Sequence, residues 1–165
     1  MAIASYILSF LICLTFSTIV LSNSCSYLLS VKTGTQFGAG TDAKVQIKLS
    51  TLHDMPIYIL DPESYGIMGE GHDYFERGNL DFFNITGPCF DTPICFINLS
   101  QNGIGDFSDW YVSYVEIEAS GGKKRHPKKY FDVEQWLGNG DRVSTCREIC
   151  PWISATLPPV DAAAM

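Results

Sequence analysis

The chain of 165 residues carries 18 Asp and Glu against 11 Lys and Arg, a formal net charge of -7. With 46% hydrophobic and 13% aromatic residues, it is too short for a two-domain enzyme and too apolar to be chiefly disordered. The acidic total argues against a nucleic-acid partner, because domains that bind nucleic acid are usually basic.

Sixteen of the residues from Met1 to Ser22 are hydrophobic and none is charged. Small residues follow, with Ser22 and Ser24 in the -3 and -1 places before Cys25. This is the pattern of a secretory signal peptide over residues 1–24, and the competing reading is an uncleaved membrane anchor. Cleavage after Ser24 leaves 141 residues with five of the six cysteines, and predicts a secreted or secretory-pathway product. Asn84-Ile85-Thr86 and Asn98-Leu99-Ser100 are N-glycosylation sequons. Five cysteines in a secreted chain read as disulfide partners rather than zinc ligands. Cys89 and Cys95 bracket a Pro-containing turn and are expected to pair. Cys25 is expected to join Cys146 or Cys150, with one cysteine left over.

After the leader the chain reads as short strands. Ser26 to Lys32 is mostly apolar, and Lys44 to Leu49 alternates, with Val45, Ile47 and Leu49 inward. Met55 to Leu60, Tyr74 to Phe83, Ile94 to Leu99, Trp110 to Ala119 and Tyr130 to Leu137 follow, separated by Gly, Asp, Asn and Pro clusters. In the Trp110 run, Tyr111, Ser113, Val115 and Ile117 would share one face and Val112, Tyr114, Glu116 and Glu118 the other. Trp110 and Trp136 are expected in the core or half-buried. Arg77, inside the Tyr74 run, is expected to pair with a carboxylate across the fold, and Gly78 to mark a bulge or close approach. No helical stripe exceeds two turns. The pattern predicts an all-β, antiparallel two-sheet sandwich of seven or eight strands over residues 25–150, followed by a loose tail over 151–165.

Catalytic signatures are missing. His53, His72 and His126 lie beside no nucleophile elbow, zinc-binding helix or reactive-cysteine motif, and no Gly-rich loop has phosphate-binding spacing. The expectation is a protein that is not an enzyme.

Three stretches stand in a telling order: Gly38-Ala39-Gly40-Thr41-Asp42-Ala43 before the alternating strand, Phe75-Glu76-Arg77-Gly78-Asn79-Leu80-Asp81-Phe82-Phe83, and Trp110-Tyr111-Val112-Ser113-Tyr114-Val115-Glu116. With Gly87-Pro88-Cys89 and Pro93-Ile94-Cys95 between the last two, this order resembles the PLAT domain, the β-sandwich of polycystins, lipoxygenases and bacterial alpha-toxin. It resembles most the small secreted plant PLAT stress proteins of the embryo-specific protein 3 type. Such plant members often carry a cysteine in the loop before the Glu134-Gln135-Trp136-Leu137 strand. Here the loop Gly121 to Lys129 has none, so the relatives' disulfide pattern does not transfer.

The resemblance implies a calcium site at one end of the sandwich. Carried over by position, its ligands are Gly40, Thr41, His72 through its carbonyl, Asp73, Asp109 and the Trp110 carbonyl, with Asp42 and Asp106 able to assist. The competing reading gives Thr41 and Asp42 only turn hydrogen bonds. Phe37, Met68, Ile104 and Phe107 sit at or beside these tips and would either enter a membrane interface or pack beneath their own loops. Lys123, Lys124, Arg125, Lys128 and Lys129 form a basic run that suits an anionic headgroup, polysaccharide or protein, or is simply solvated. The expected partner is a membrane lipid surface or a lipid-associated protein. The alternatives are a protein-interaction module that never touches lipid, and an accessory domain acting on a separate lipid-modifying enzyme.

Overall fold

A computed structural model describes residues 24–122 and 126–138, and the backbone of 142–146. The predicted signal peptide, the C-terminal tail, Cys150 and three of the basic residues (Lys123, Lys124 and Arg125) lie outside the described residues. Eight strands form: β1 Ser24–Thr33, β2 Val45–Ser50, β3 Ile57–Ile59, β4 Leu80–Pro88, β5 Phe96–Gln101, β6 Trp110–Ser120, β7 Lys129–Leu137 and β8 Arg142–Cys146. A single 3-10 turn, Pro62–Tyr65, is the one helical element among the described residues. The strands make two four-stranded sheets, β4-β1-β6-β7 and β3-β2-β5-β8, with every pairing antiparallel. The predicted two-sheet sandwich is the observed one.

Alternation explains which faces meet. Val45, Ile47 and Leu49 of β2 and Ile97 and Leu99 of β5 are buried against Tyr27, Leu29 and Val31 of β1 and Phe83 and Ile85 of β4. Side chains on a strand point alternately to opposite faces, so each inner face comes from every second residue.

β6 departs from simple alternation. Trp110 and Val112 are buried, and so are Val115 and Ile117, three residues on rather than two. The pairing of β6 with β1 slips between Lys32 and Thr33, and its pairing with β7 slips between Val112 and Tyr114. An extra residue in one strand reverses the facing of everything beyond it. Val112 therefore joins Val115 and Ile117 in the core instead of opposing them. Glu134 of β7, at φ 42°, sits in the matching irregularity.

The predicted strand from Tyr74 is also displaced. Residues 74–79 turn, and β4 runs from Leu80 through Pro88. Arg77 is exposed in that turn, and no ion pair among the described residues includes it, so the expected cross-sandwich pair does not form. Gly78 lies in the turn rather than at a strand bulge: its φ is 80°, its N–H donates to the Gly34 carbonyl at 2.8 Å, its carbonyl accepts from Lys32 Nζ, and a Cβ there would meet only Thr35 at 3.9 Å. Trp110 is fully buried and Trp136 is 42% exposed.

The disulfide differs from expectation. Cys25 bonds Cys89, because the start of β1 lies beside the end of β4 with Cys25 opposite Gly87. Cys89 is therefore not joined to Cys95, nor Cys25 to Cys146 or Cys150. Cys95 is buried one residue before Phe96, whose register partner on β8 is Cys146. Tyr27 secures the same end. Its hydroxyl donates to the Pro88 carbonyl at 2.6 Å and accepts from Phe90 N at 3.2 Å, and burial raises its pKa.

Candidate functional site

The end of the sandwich away from the disulfide is built from three loops, residues 34–44, 66–79 and 102–109. Backbone hydrogen bonds join them. Thr41 N donates to the Phe75 carbonyl at 3.3 Å, Asp42 N to the Phe107 carbonyl at 3.2 Å, and Tyr111 N to the Ala39 carbonyl at 3.0 Å. The Thr41 hydroxyl donates to the Ser108 carbonyl at 3.0 Å and accepts from Ala43 N at 3.1 Å. Gly40 has no room for a side chain, because a Cβ there would lie 2.8 Å from the Arg77 backbone nitrogen. The order of sequence motifs is thus a spatial cluster.

Beneath it, the carboxylate of Asp81 is completely buried. Its Oδ2 accepts from Phe75 N at 2.8 Å and its Oδ1 lies 2.7 Å from His72 Nε2. This arrangement holds Phe75 at φ 61° while its ring packs on Phe83 and Trp110 at 5.5 and 5.1 Å between centroids. Trp110 Nε1 donates to Thr33 Oγ1 at 3.0 Å. Asp81 belongs to the quoted motif, but sequence reading assigned it no part. Its role depends on the turn at 74–79 that was read as strand.

The loops that carry the six expected calcium ligands are neighbours at this end. The Thr41 hydroxyl is used within the loop network. His72 and Trp110 enter the expected set by their carbonyls, while their rings face Asp81 and the core. The exposed carboxylates of Asp73 and Asp109 remain, with backbone carbonyls. Among the described residues no group of three or more His, Cys, Asp or Glu side chains could hold a metal. An oxygen-only donor set suits calcium rather than zinc, and two carboxylates make it a weak set. Glu76 lies beside Gly40, with its Oε2 3.0 Å from where a Gly40 Cβ would sit.

Apolar side chains crown this end. Phe37 is 94% exposed, Ile104 70% and Phe107 71%, so none packs beneath its loop. Phe37, Phe107 and Trp136 line an open hollow of about 310 Å³ together with Asp106 and Asp109. Met68, in the second of these loops, is 37% exposed, with its N–H donating to the Tyr74 hydroxyl.

The described flanks of the basic run, Gly122 and His126, lie at the other end. Gly122, just before it, would place a Cβ 3.0 Å from Cys25 Sγ, and His126, just after Arg125, bonds the Phe90 carbonyl. Lys128 Nζ is 2.7 Å from Glu116 Oε2, and that hydrogen bond raises its pKa.

This architecture is the antiparallel two-sheet β-sandwich class. The PLAT/LH2 domain family matches residues 27–145, and the chain belongs to that family. It is 37% identical over 148 residues to PLAT domain-containing protein 2 of Arabidopsis thaliana, covering 86% of this chain and 81% of that one. Among solved structures it is similar to a coral 8R-lipoxygenase described as activated by calcium through a C2-like domain, at 25% identity and TM-score 0.58 over 73% of this chain and 16% of that one. It is also similar to a calcium-dependent 11R-lipoxygenase, at 29% identity and TM-score 0.52 over 74% of this chain and 17% of that one. The chain spans about a sixth of each lipoxygenase.

Proposed function

We propose that this chain is a secreted, non-catalytic PLAT module that docks on a membrane lipid surface through its loop-bearing end. The single observation behind this reading is the exposure of Phe37, Ile104 and Phe107 on loops that hydrogen bonds hold in place. Apolar side chains fixed at a tip gain about 1.5–3 kcal/mol each when fully buried, and fixed loops lose little entropy on docking. Calcium is the candidate cofactor. Bound by Asp73, Asp109 and nearby carbonyls, it would offset the local acidity and bridge to lipid phosphate. The calcium-activated and calcium-dependent lipoxygenases whose fold is similar support that part, as does the oxygen-only donor set. Secretion rests on the signal-peptide pattern, and a stress-related plant setting on the resemblance to small plant PLAT proteins.

Co-sedimentation with zwitterionic and anionic vesicles, in calcium or in chelator, tests the reading. Wild type should pellet with vesicles, and Phe37→Ala with Phe107→Ala should weaken partitioning at least about tenfold. Loss in chelator, and in Asp73→Asn with Asp109→Asn, is expected if calcium takes part. Failure to pellet under every condition would overturn lipid docking in favour of a protein-interaction module.

A further inference from the structure

The outer face of the β3–β2–β5 sheet carries a groove of about 470 Å³. Tyr58, Lys48 and Asn98 form one row across it as successive register partners. Lys48 Nζ lies 5.3 Å from the centroid of the Tyr58 ring, and Phe96 and Ser100 flank Asn98 on the same face of β5. Tyr58 is 62% exposed and Leu60, at the groove's edge, 64%. Aromatic rings interleaved with amide, hydroxyl and ammonium groups suit a sugar, whose C–H faces lie on rings while its hydroxyls take hydrogen bonds. Asn98 is also the acceptor position of an Asn-Leu-Ser sequon.

We infer that Asn98 carries an N-linked glycan whose first sugars lie in this groove, across Lys48 toward Tyr58. The occupant is argued from its attachment point: the modifiable asparagine is itself part of the lining. Two strand spacings, about 10 Å, separate Asn98 from Tyr58. In the modification, Asn98 Nδ2 bonds the anomeric carbon of an oligosaccharide carried on a lipid diphosphate. The bond from that carbon to the diphosphate oxygen breaks, the amide releases one proton, and the lipid diphosphate leaves. The donor and transferase are those of the secretory lumen, so the inference rests on the secretory reading above. Asn84 provides a contrast. It is exposed on the edge strand β4, with its Oδ1 accepting from Ser26 Oγ, and it is not part of the lining of this groove.

The test uses the full chain expressed in plant cells, with the variants Asn84→Gln, Asn98→Gln and Ser100→Ala. Intact mass before and after peptide N-glycosidase counts the glycans, and hydroxyl-radical footprinting reads Tyr58 and Leu60. Asn98→Gln and Ser100→Ala should each lose one glycan, and Tyr58 and Leu60 should then oxidise severalfold faster than in wild type or Asn84→Gln. Native wild type treated with the glycosidase should show the same rise, which covers a variant that fails to fold. A glycan on Asn84 with none on Asn98 would overturn the inference and leave secretion standing. So would a glycan on Asn98 with unchanged footprinting, or a groove still protected after its removal, which would mean another occupant. A chain kept inside the cell with neither site modified would overturn the secretory reading and this inference with it.

Discussion

Asp81 has no exposed surface, yet both of its oxygens are used, one by the Phe75 N–H and one by the His72 ring. Removing one partner of a buried polar pair leaves the other without compensation, at a cost of roughly 3–5 kcal/mol where the groups are charged. Asp81→Ala should lower stability by about 3 kcal/mol in urea denaturation; a loss under about 1 kcal/mol would show that the turn at 74–79 stands without it. Asp54 has a related role at the opposite end. Burial alone would raise its pKa, but the hydrogen bonds from Thr92, Thr51 and Asp91 outweigh it and hold the carboxyl below its ordinary range. A depressed carboxyl stabilises the fold above its unfolded value, near pH 4, and the contribution fades as pH falls through the lower folded value. The gap in melting temperature between wild type and Asp54→Asn should therefore be largest near neutrality and shrink from about pH 5 downward; a gap independent of pH would contradict this account.

At the scale of elements, the loop end depends on the close packing of residues 38–43 against the turn at 74–79. Gly40→Ala would press a methyl group into the Arg77 backbone, and relieving that contact costs about 1–3 kcal/mol. The tip loops should then exchange amide hydrogens faster while β2 and β5 stay protected; unchanged exchange at residues 38–43 would argue against the contact. The strands were largely legible in the sequence, because one buried face imposes alternation, as Val45, Ile47 and Leu49 show. The bulge in β6 was not legible, since an inserted residue looks like ordinary alternation until the neighbouring strands set the register. Nor was the turn at 74–79, where aromatic residues of high strand propensity are bent round by the Asp81 carboxylate. The Cys25–Cys89 bond joins β1 to β4 across 64 residues. Loop-closure entropy assigns such a link about 4 kcal/mol, so Cys25→Ser with Cys89→Ser should lower the melting temperature markedly, whereas an unchanged melting temperature would show that the β1–β4 ladder suffices.

At the scale of the whole molecule, the loop tips and the described flanks of the basic run occupy opposite poles. The loops bearing Phe37 and Phe107 lie at one end of β1, and Gly122 and His126 lie at the other end beside the disulfide. Ten residues of strand span about 30 Å, several times the screening length at physiological salt. One flat membrane is therefore not expected to engage both. Changing Lys123, Lys124, Arg125, Lys128 and Lys129 to Gln should leave calcium-dependent vesicle binding intact while changing retention on an anionic resin. Loss of vesicle binding in that variant would place the membrane at the wrong pole. Removing these five charges from a total of -7 leaves -12 for the rest, so the charge is strongly uneven along the chain.

The sequence by itself determined the sandwich, most of its strands, the order of its loop motifs and the types of residue at the tips. These follow from short-range rules, namely alternation, turn chemistry and motif spacing, which one chain carries locally. The tertiary structure alone decided which cysteines bond, which way β6 faces beyond its bulge, what Asp81 holds, and that the apolar tip lies away from Gly122, His126 and the disulfide. Each of these depends on which distant segments become neighbours when two sheets close, and pairing register and burial become definite only then.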